Sequence, residues 1–135
     1  MNRVSIAGSL LTCMQTHAAQ SPTAEVCGLL GARGGVPVSC FPVANTARDP
    51  TRRFEMDPRG QIDAMRAMRE RGETLFAIYH SHPQGPPAPS AVDLHEAAYP
   101  QAVYLILSPG EHGFEVRAWR LTPSGFVPVD LTVGR

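Results

Sequence analysis

At 135 residues the chain has the length of one domain, and its 43% apolar content is enough for a single hydrophobic core. Twelve basic and twelve acidic side chains cancel to a formal charge of zero, so the overall balance argues for neither a nucleic-acid nor an anionic-membrane partner. No apolar run approaches the ~20 residues that span a bilayer, and the N-terminal segment reads as no signal peptide. Cys13, Cys27 and Cys40 are odd in number and match no zinc-ribbon or Cys-x-x-Cys spacing. They are expected as reduced, mostly buried thiols of a cytoplasmic protein.

In chain order, residues 5–20 carry Ile6, Leu10, Leu11 and Met14 at helical spacing, and Ser21-Pro22 ends the run. Residues 25–30 read as a short strand, 31–35 as a turn and 36–43 as the returning strand of a hairpin. Residues 45–53 form a polar loop. Asp57-Pro58 starts a helix, with Asp as N-cap and Pro at the first helical position, and Gly72 stops it. Ile62, Met65 and Met68 are its expected buried stripe. Residues 75–79 are continuously apolar, as in a strand covered on both faces, and His80 follows at its C-terminal end. Residues 83–89 hold four prolines and exclude regular structure. Ser90 caps a helix expected to run to about residue 99. Residues 102–107 are another buried strand, and 114–121 with 126–131 close the chain as a hairpin. This order of elements predicts one domain over residues 1–135, an α/β sandwich with a mixed sheet and helices on its faces.

The segment from His80 to Asp93 carries the chemistry. Residues i and i+2 of an extended segment project to one side, so His80 and His82 can aim imidazole nitrogens at one point. Asp93 offers a third ligand. With Ser90 as N-cap, it sits at the third helical position, where the helix dipole favours the ionised carboxylate. Two histidines and a carboxylate with a fourth position open form the pattern of catalytic zinc, which lowers the pKa of a bound water toward ~7. Glu25 is the best candidate for the base that takes the water's proton, because an acid at the start of an apolar strand is costly without a partner. The Ser90 hydroxyl can donate to the oxyanion of a tetrahedral intermediate. The prolines stiffen the loop between the ligands.

The spacing His-x-His-x10-Asp, with Ser90 three before Asp93 and Glu25 upstream, resembles the JAMM (MPN-plus) metalloproteases. Further matches are Glu25-Val-Cys-Gly-Leu-Leu-Gly, Phe54-Glu-Met-Asp-Pro and His80-Ser-His-Pro. They look like the small bacterial branch of that family, and the resemblance covers most of the chain. It implies a cytidine-deaminase-like α/β/α fold. It implies Zn2+ held by His80, His82 and Asp93, with Glu25 as general acid/base and Ser90 as oxyanion donor. The implied activity is cleavage of a peptide or isopeptide bond after the Gly-Gly tail of a ubiquitin-like sulfur-carrier protein. Homodimers are common among such small members. The chain lacks the long insertions that help eukaryotic deubiquitinating members select a linkage.

Each signal also has a plainer reading. Ser90-x-x-Asp93 is a common capping arrangement, and Glu25 alone reads as an edge carboxylate. Cys27 falls two residues after Glu25 and can approach the same side, but a small buried residue is favoured. His95 lies about 200° round the helix from Asp93 and points away from the metal. His17 and His112 read as surface residues. Seven arginines fall between Arg48 and Arg71, offset by nearby acids, so a solvated face is preferred to a grip on substrate by Arg48, Arg52 and Arg53. The alternative function is a non-catalytic scaffold or interaction module of the same fold, which the intact ligand set disfavours. Nucleoside deamination would need His-x-Glu and Pro-Cys-x-x-Cys ligands, and neither is present.

Overall fold

The computed structural model describes residues 3–134. Its elements are β1 (Arg3–Ala7), α1 (Gly8–Ala19), β2 (Cys27–Arg33), β3 (Val36–Val43), α2 (Pro58–Glu70), β4 (Thr74–Ser81), α3 (Ala91–Glu96), β5 (Val103–Gly110), β6 (Gly113–Thr122) and β7 (Gly125–Gly134). The strands form one sheet in the order β1-β7-β6-β5-β4-β2-β3. β4 and β5 are parallel, as are β1 and β7, and the other neighbours are antiparallel, so the sheet is mixed. The sheet curls enough for its two edge strands, β1 and β3, to approach one another.

Alternation along the central strands builds two cores. Leu30, Ala77, Tyr79, Val103 and Leu105 face α1, which adds Leu10, Met14 and Ala18. Leu29, Ile78 and Tyr104 face the other way, onto Ala64 and Met68 of α2. Each such aliphatic side chain contributes roughly 1.5–3 kcal/mol by leaving water. The two helices therefore lie on opposite faces of the sheet. Gly28 is paired with Tyr79, and a Cβ there would fall on the Tyr79 ring, so only glycine allows that ring to pack flat.

Four expectations need correction. Residues 5–7 belong to a strand, not to the first helix: Val4 and Ile6 are buried and pair beside Leu131 and Val133 of β7. A four-residue alternation is too short to read locally, and its partner lies at the far end of the chain. β2 runs on through Gly31 to Arg33, and the turn is only Gly34-Gly35. Both have positive φ, 58° and 79°, as a two-residue hairpin of the mirror-image type requires. In α2, Ile62 is 58% exposed, while Ala64 and Met68 form the buried stripe with Met65 half-buried. Two residues turn a helix by about 200°, so Ile62 and Ala64 face opposite ways. Finally, α3 stops at Glu96: Ala97 is extended (φ −66°, ψ 129°), and beyond it the Tyr99 amide donates to Tyr104 Oη at 2.9 Å. The N-caps at Asp57 and Ser90 are as expected: the Asp57 carboxylate accepts from the Gly60 amide.

Candidate metal centre

β4 delivers both histidines to one point because the strand pairing continues past its assigned end. The Ser81 amide donates to Val26 O at 3.0 Å, and the His82 amide donates to Leu107 O at 2.7 Å. Extended backbone on both sides of Ser81 turns His80 and His82 to the same face. Asp93 comes from the first turn of α3. Its carboxylate accepts from the Ser90 amide at 2.9 Å, while the Asp93 amide donates to Ser90 Oγ at 3.0 Å, a complete capping box. The intervening loop is pinned to the sheet by hydrogen bonds from Ser108 Oγ to Gly85 O and from Trp119 Nε1 to Pro87 O (3.1 Å).

The three groups converge. Asp93 Oδ2 lies 3.2 Å from His80 Nε2 and 2.9 Å from His82 Nε2, and the two imidazole nitrogens are 3.1 Å apart. His82 Nδ1 faces Pro86 O at 2.8 Å, and a carbonyl only accepts, so Nδ1 carries the proton and Nε2 of the neutral ring offers its lone pair. Atoms this close must share either protons, as hydrogen bonds from the imidazoles to Asp93, or a cation. Glu25 joins them: one donor atom from each of Glu25, His80, His82 and Asp93 lies within 4.8 Å of the others. The donor set fits a divalent ion, and two nitrogens with carboxylate oxygen are ligands that zinc accepts. The ring of Phe54 stacks on His80 at 4.6 Å and limits its rotation.

Electrostatics separate the four groups. Burial works against a charged Asp93, but hydrogen bonds from His80 and His82 outweigh it and hold the carboxyl well below the usual carboxylate range. Burial lowers the pKa of His80. His82 is also disfavoured as a cation by burial, but its bonds to Asp93 and to the Pro86 carbonyl prevail and raise it. Glu25 is pushed up to about 7, first by burial, with Asp93 adding to the rise and His82 opposing it. Its Oε1 is buried with no hydrogen-bond partner among the described residues. A carboxyl that exchanges its proton near neutral pH suits a general acid/base.

Sequence reading missed how Glu25 is held. It precedes β2, and its amide donates to Pro50 O at 2.7 Å while its carbonyl accepts from Asn45 Nδ2 at 2.9 Å. Nothing local in the 45–53 loop announces these bonds, since their partner lies twenty or more residues away. Ser90 shares a groove with Glu25, His82 and Arg52, about 370 Å³ in volume. A second cavity, about 210 Å³ and lined by Phe54, Ile78, Tyr104 and Phe126, opens on the His80 and Asp93 side. Cys27 is not part of the centre. Its thiol donates toward Val43 O at 3.4 Å, and burial first, then the Glu25 charge, raises it to about 12. His95 and His112 are exposed, as expected. His17 is not simply a surface residue: it is half-buried on the α1 side, with Nδ1 2.7 Å from Tyr79 Oη. Of the arginines, Arg53 pairs with Glu96 of α3 at 2.7 Å, and Arg52 lies 3.8 Å from Asp49.

Comparison with known proteins agrees with this geometry. The family model for prokaryotic homologues of the JAB domain matches residues 8–122, which include all four clustered groups and Ser90. The chain belongs to the prokaryotic JAB family. The JAMM-type resemblance read from the motif spacing is thereby borne out. This JAB-family chain is 38% identical over 103 residues to the desampylase of Haloferax volcanii, covering 75% of this chain and 74% of that one. It is 33% identical over 119 residues to the CysO-cysteine peptidase of Mycobacterium tuberculosis, covering 86% and 81%. A Desulfitobacterium hafniense protein solved in solution superposes on the JAB-family fold with a TM-score of 0.86 at 30% identity, covering 97% of this chain and 92% of that one. No described helix is long and apolar enough to cross a membrane.

Proposed function

We propose that this protein is a zinc-dependent metallopeptidase that cuts the bond after the C-terminal Gly-Gly tail of a ubiquitin-like sulfur-carrier protein. The observation that supports it most is the meeting of His80, His82 and Asp93 at one point, with the buried, unpaired Glu25 beside them. Relatives named desampylase and CysO-cysteine peptidase support the choice of reaction. We read residues 1–135 as one cytoplasmic domain of cytidine-deaminase-like layering, free to pair as a homodimer, with no role for nucleic acid or membrane.

His80, His82 and Asp93 would hold the ion, which supplies Lewis acidity and an acidified water. Glu25 takes a proton from the attacking water as its oxygen bonds to the scissile carbonyl carbon. The Ser90 hydroxyl oxygen accepts from the Asp93 amide and lines the groove, and its own proton remains available to donate. It donates to the carbonyl oxygen as negative charge develops there. Glu25 then passes its proton to the leaving nitrogen, the C–N bond breaks, and a carrier carboxylate and a free amine result. Burial that favours the protonated carboxyl, beside an ion that favours the carboxylate, lets one carboxyl serve in both directions.

The test is a carrier protein fused through Gly-Gly to a short peptide, incubated with purified enzyme and weighed by mass spectrometry, with zinc measured on the same sample. One zinc per chain and a single cut after Gly-Gly are expected, lost with chelator and regained with zinc. Cleavage that persists after the metal is removed, or none from fully loaded protein on any carrier, overturns the proposal.

A further inference from the structure

We propose that Asn45 is a positioning residue that sets where the Glu25 carboxylate stands; this rests on the acid/base role given to Glu25 above. The pairing of β2 with β4 extends to Val26, whose carbonyl accepts from the Ser81 amide at 3.0 Å, and stops short of the Glu25 backbone groups. Both of its backbone groups are satisfied instead by the loop that follows β3, through Pro50 O and Asn45 Nδ2.

The Asn45 carboxamide is the hub of that loop. Nδ2 donates to Glu25 O at 2.9 Å and to Arg53 O at 3.1 Å. Oδ1 accepts from the amides of Ala47 and Glu55, both at 3.0 Å. Two carbonyls face one end and two N–H groups face the other, so the amide has only one workable orientation and all four of its hydrogen-bonding positions are used. Beyond Arg53 O, the Arg53 side chain reaches Glu96 of α3, the helix that bears Asp93. The loop thus joins the acid/base to the ligand helix. The exposed Arg53–Glu96 pair adds little by itself, which leaves Asn45 as the principal joint. Aspartate cannot replace it, because a carboxylate has no donor for the two carbonyls.

The experiment uses the zinc-loaded full chain and the carrier fusion described above. Asn45→Ala and Asn45→Asp are expected to lower kcat about 10- to 100-fold with KM within about twofold, because misplacing a catalytic group by roughly an ångström costs that much. Zinc content stays full, and amide hydrogen exchange speeds up at Glu25 and Glu55. Thr46→Ala, which removes a hydroxyl bond to Glu55 O in the same loop without touching Glu25, keeps wild-type kcat. Glu25→Gln/Asn45→Ala is no slower than Glu25→Gln alone, since a residue acting through Glu25 has nothing left to position. If Asn45→Ala does not fold, Asn45→Asp carries the same test. Wild-type kcat in the Asn45 variants, or a double variant slowed by the full additional factor, overturns the inference while leaving the acid/base assignment standing. Wild-type turnover in Glu25→Gln overturns both.

Discussion

Glu25 and Glu73 are matched carboxylates at opposite ends of the β2–β4 pair. Glu25 lies just before the end where Cys27 meets His80, and Glu73 just before the end where Ala32 meets Thr74. They are equally buried, at 5% and 6% exposure, and each has an Oε1 with no hydrogen-bond partner among the described residues. Their surroundings differ. Glu73 Oε2 accepts from Ser39 Oγ at 2.9 Å and faces Arg33 at 3.6 Å, and a Cβ at Gly31 would meet its Oε1. Glu73 ties the end of α2 to the β2–β3 hairpin. Glu25 faces Asp93 and two imidazoles, and among the described residues it has no ion pair with an arginine. A buried carboxylate with partners fixes architecture, whereas one kept unpaired near neutral pH is a stability cost that a reactive site retains.

The comparison breaks most visibly at the ligands. His82→Ala is expected to lose metal and turnover together; full metal occupancy by elemental analysis would remove His82 from the ligand set. Glu25→Gln comes next, with zinc retained and kcat lowered about 10²- to 10⁴-fold, the usual share of a general acid/base. Undiminished single-turnover cleavage in that variant would contradict the role.

The metal-free protein reports the same carboxyl as stability. Its folded pKa of about 7 exceeds the ordinary value of 4.5, so between the two the folded state holds a proton that the unfolded state has released. The protonated form's advantage is complete below pH 4.5 and is lost as pH rises through 7. Urea denaturation in chelator should show that fall, and Glu25→Gln should flatten it.

At the other pole, Glu73→Ala is expected to cost about 1–3 kcal/mol, since it removes the buried acceptor of the Ser39 hydroxyl, with kcat unchanged. Glu73→Gln, which can still accept from Ser39, should lose less. If Glu73→Ala altered kcat as Glu25→Gln does, the division between the two ends would fail. The smallest effect is at Cys27, whose thiol at about 12 should resist alkylation at pH 8 in the folded protein and react only on unfolding.

Much of this was legible because it is local. His80, His82, Ser90 and Asp93 lie in one short segment, and strand geometry with a capping box is enough to bring them together. The stripe of α1 and the cap of α2 were readable for the same reason. β1 was not, because its alternation becomes a strand only when β7 is present. Ile62 is apolar but sits where the helix turns it to solvent, so residue type alone does not reveal its face. Asn45 gave no signal at all, since an asparagine in a polar loop reads as a turn residue until its partners are known.

The amino-acid sequence determined the grouping of His80, His82 and Asp93, the glycine turn of the β2–β3 hairpin and the order of most elements, because these depend on periodicity and on neighbours a few residues apart. Tertiary structure alone decided that Glu25 stands beside that triad, that Asn45 and Pro50 hold it there, and that the first and last strands meet. Those contacts join residues twenty to more than a hundred positions apart, and sheet register, which no short window of sequence contains, is what sets them.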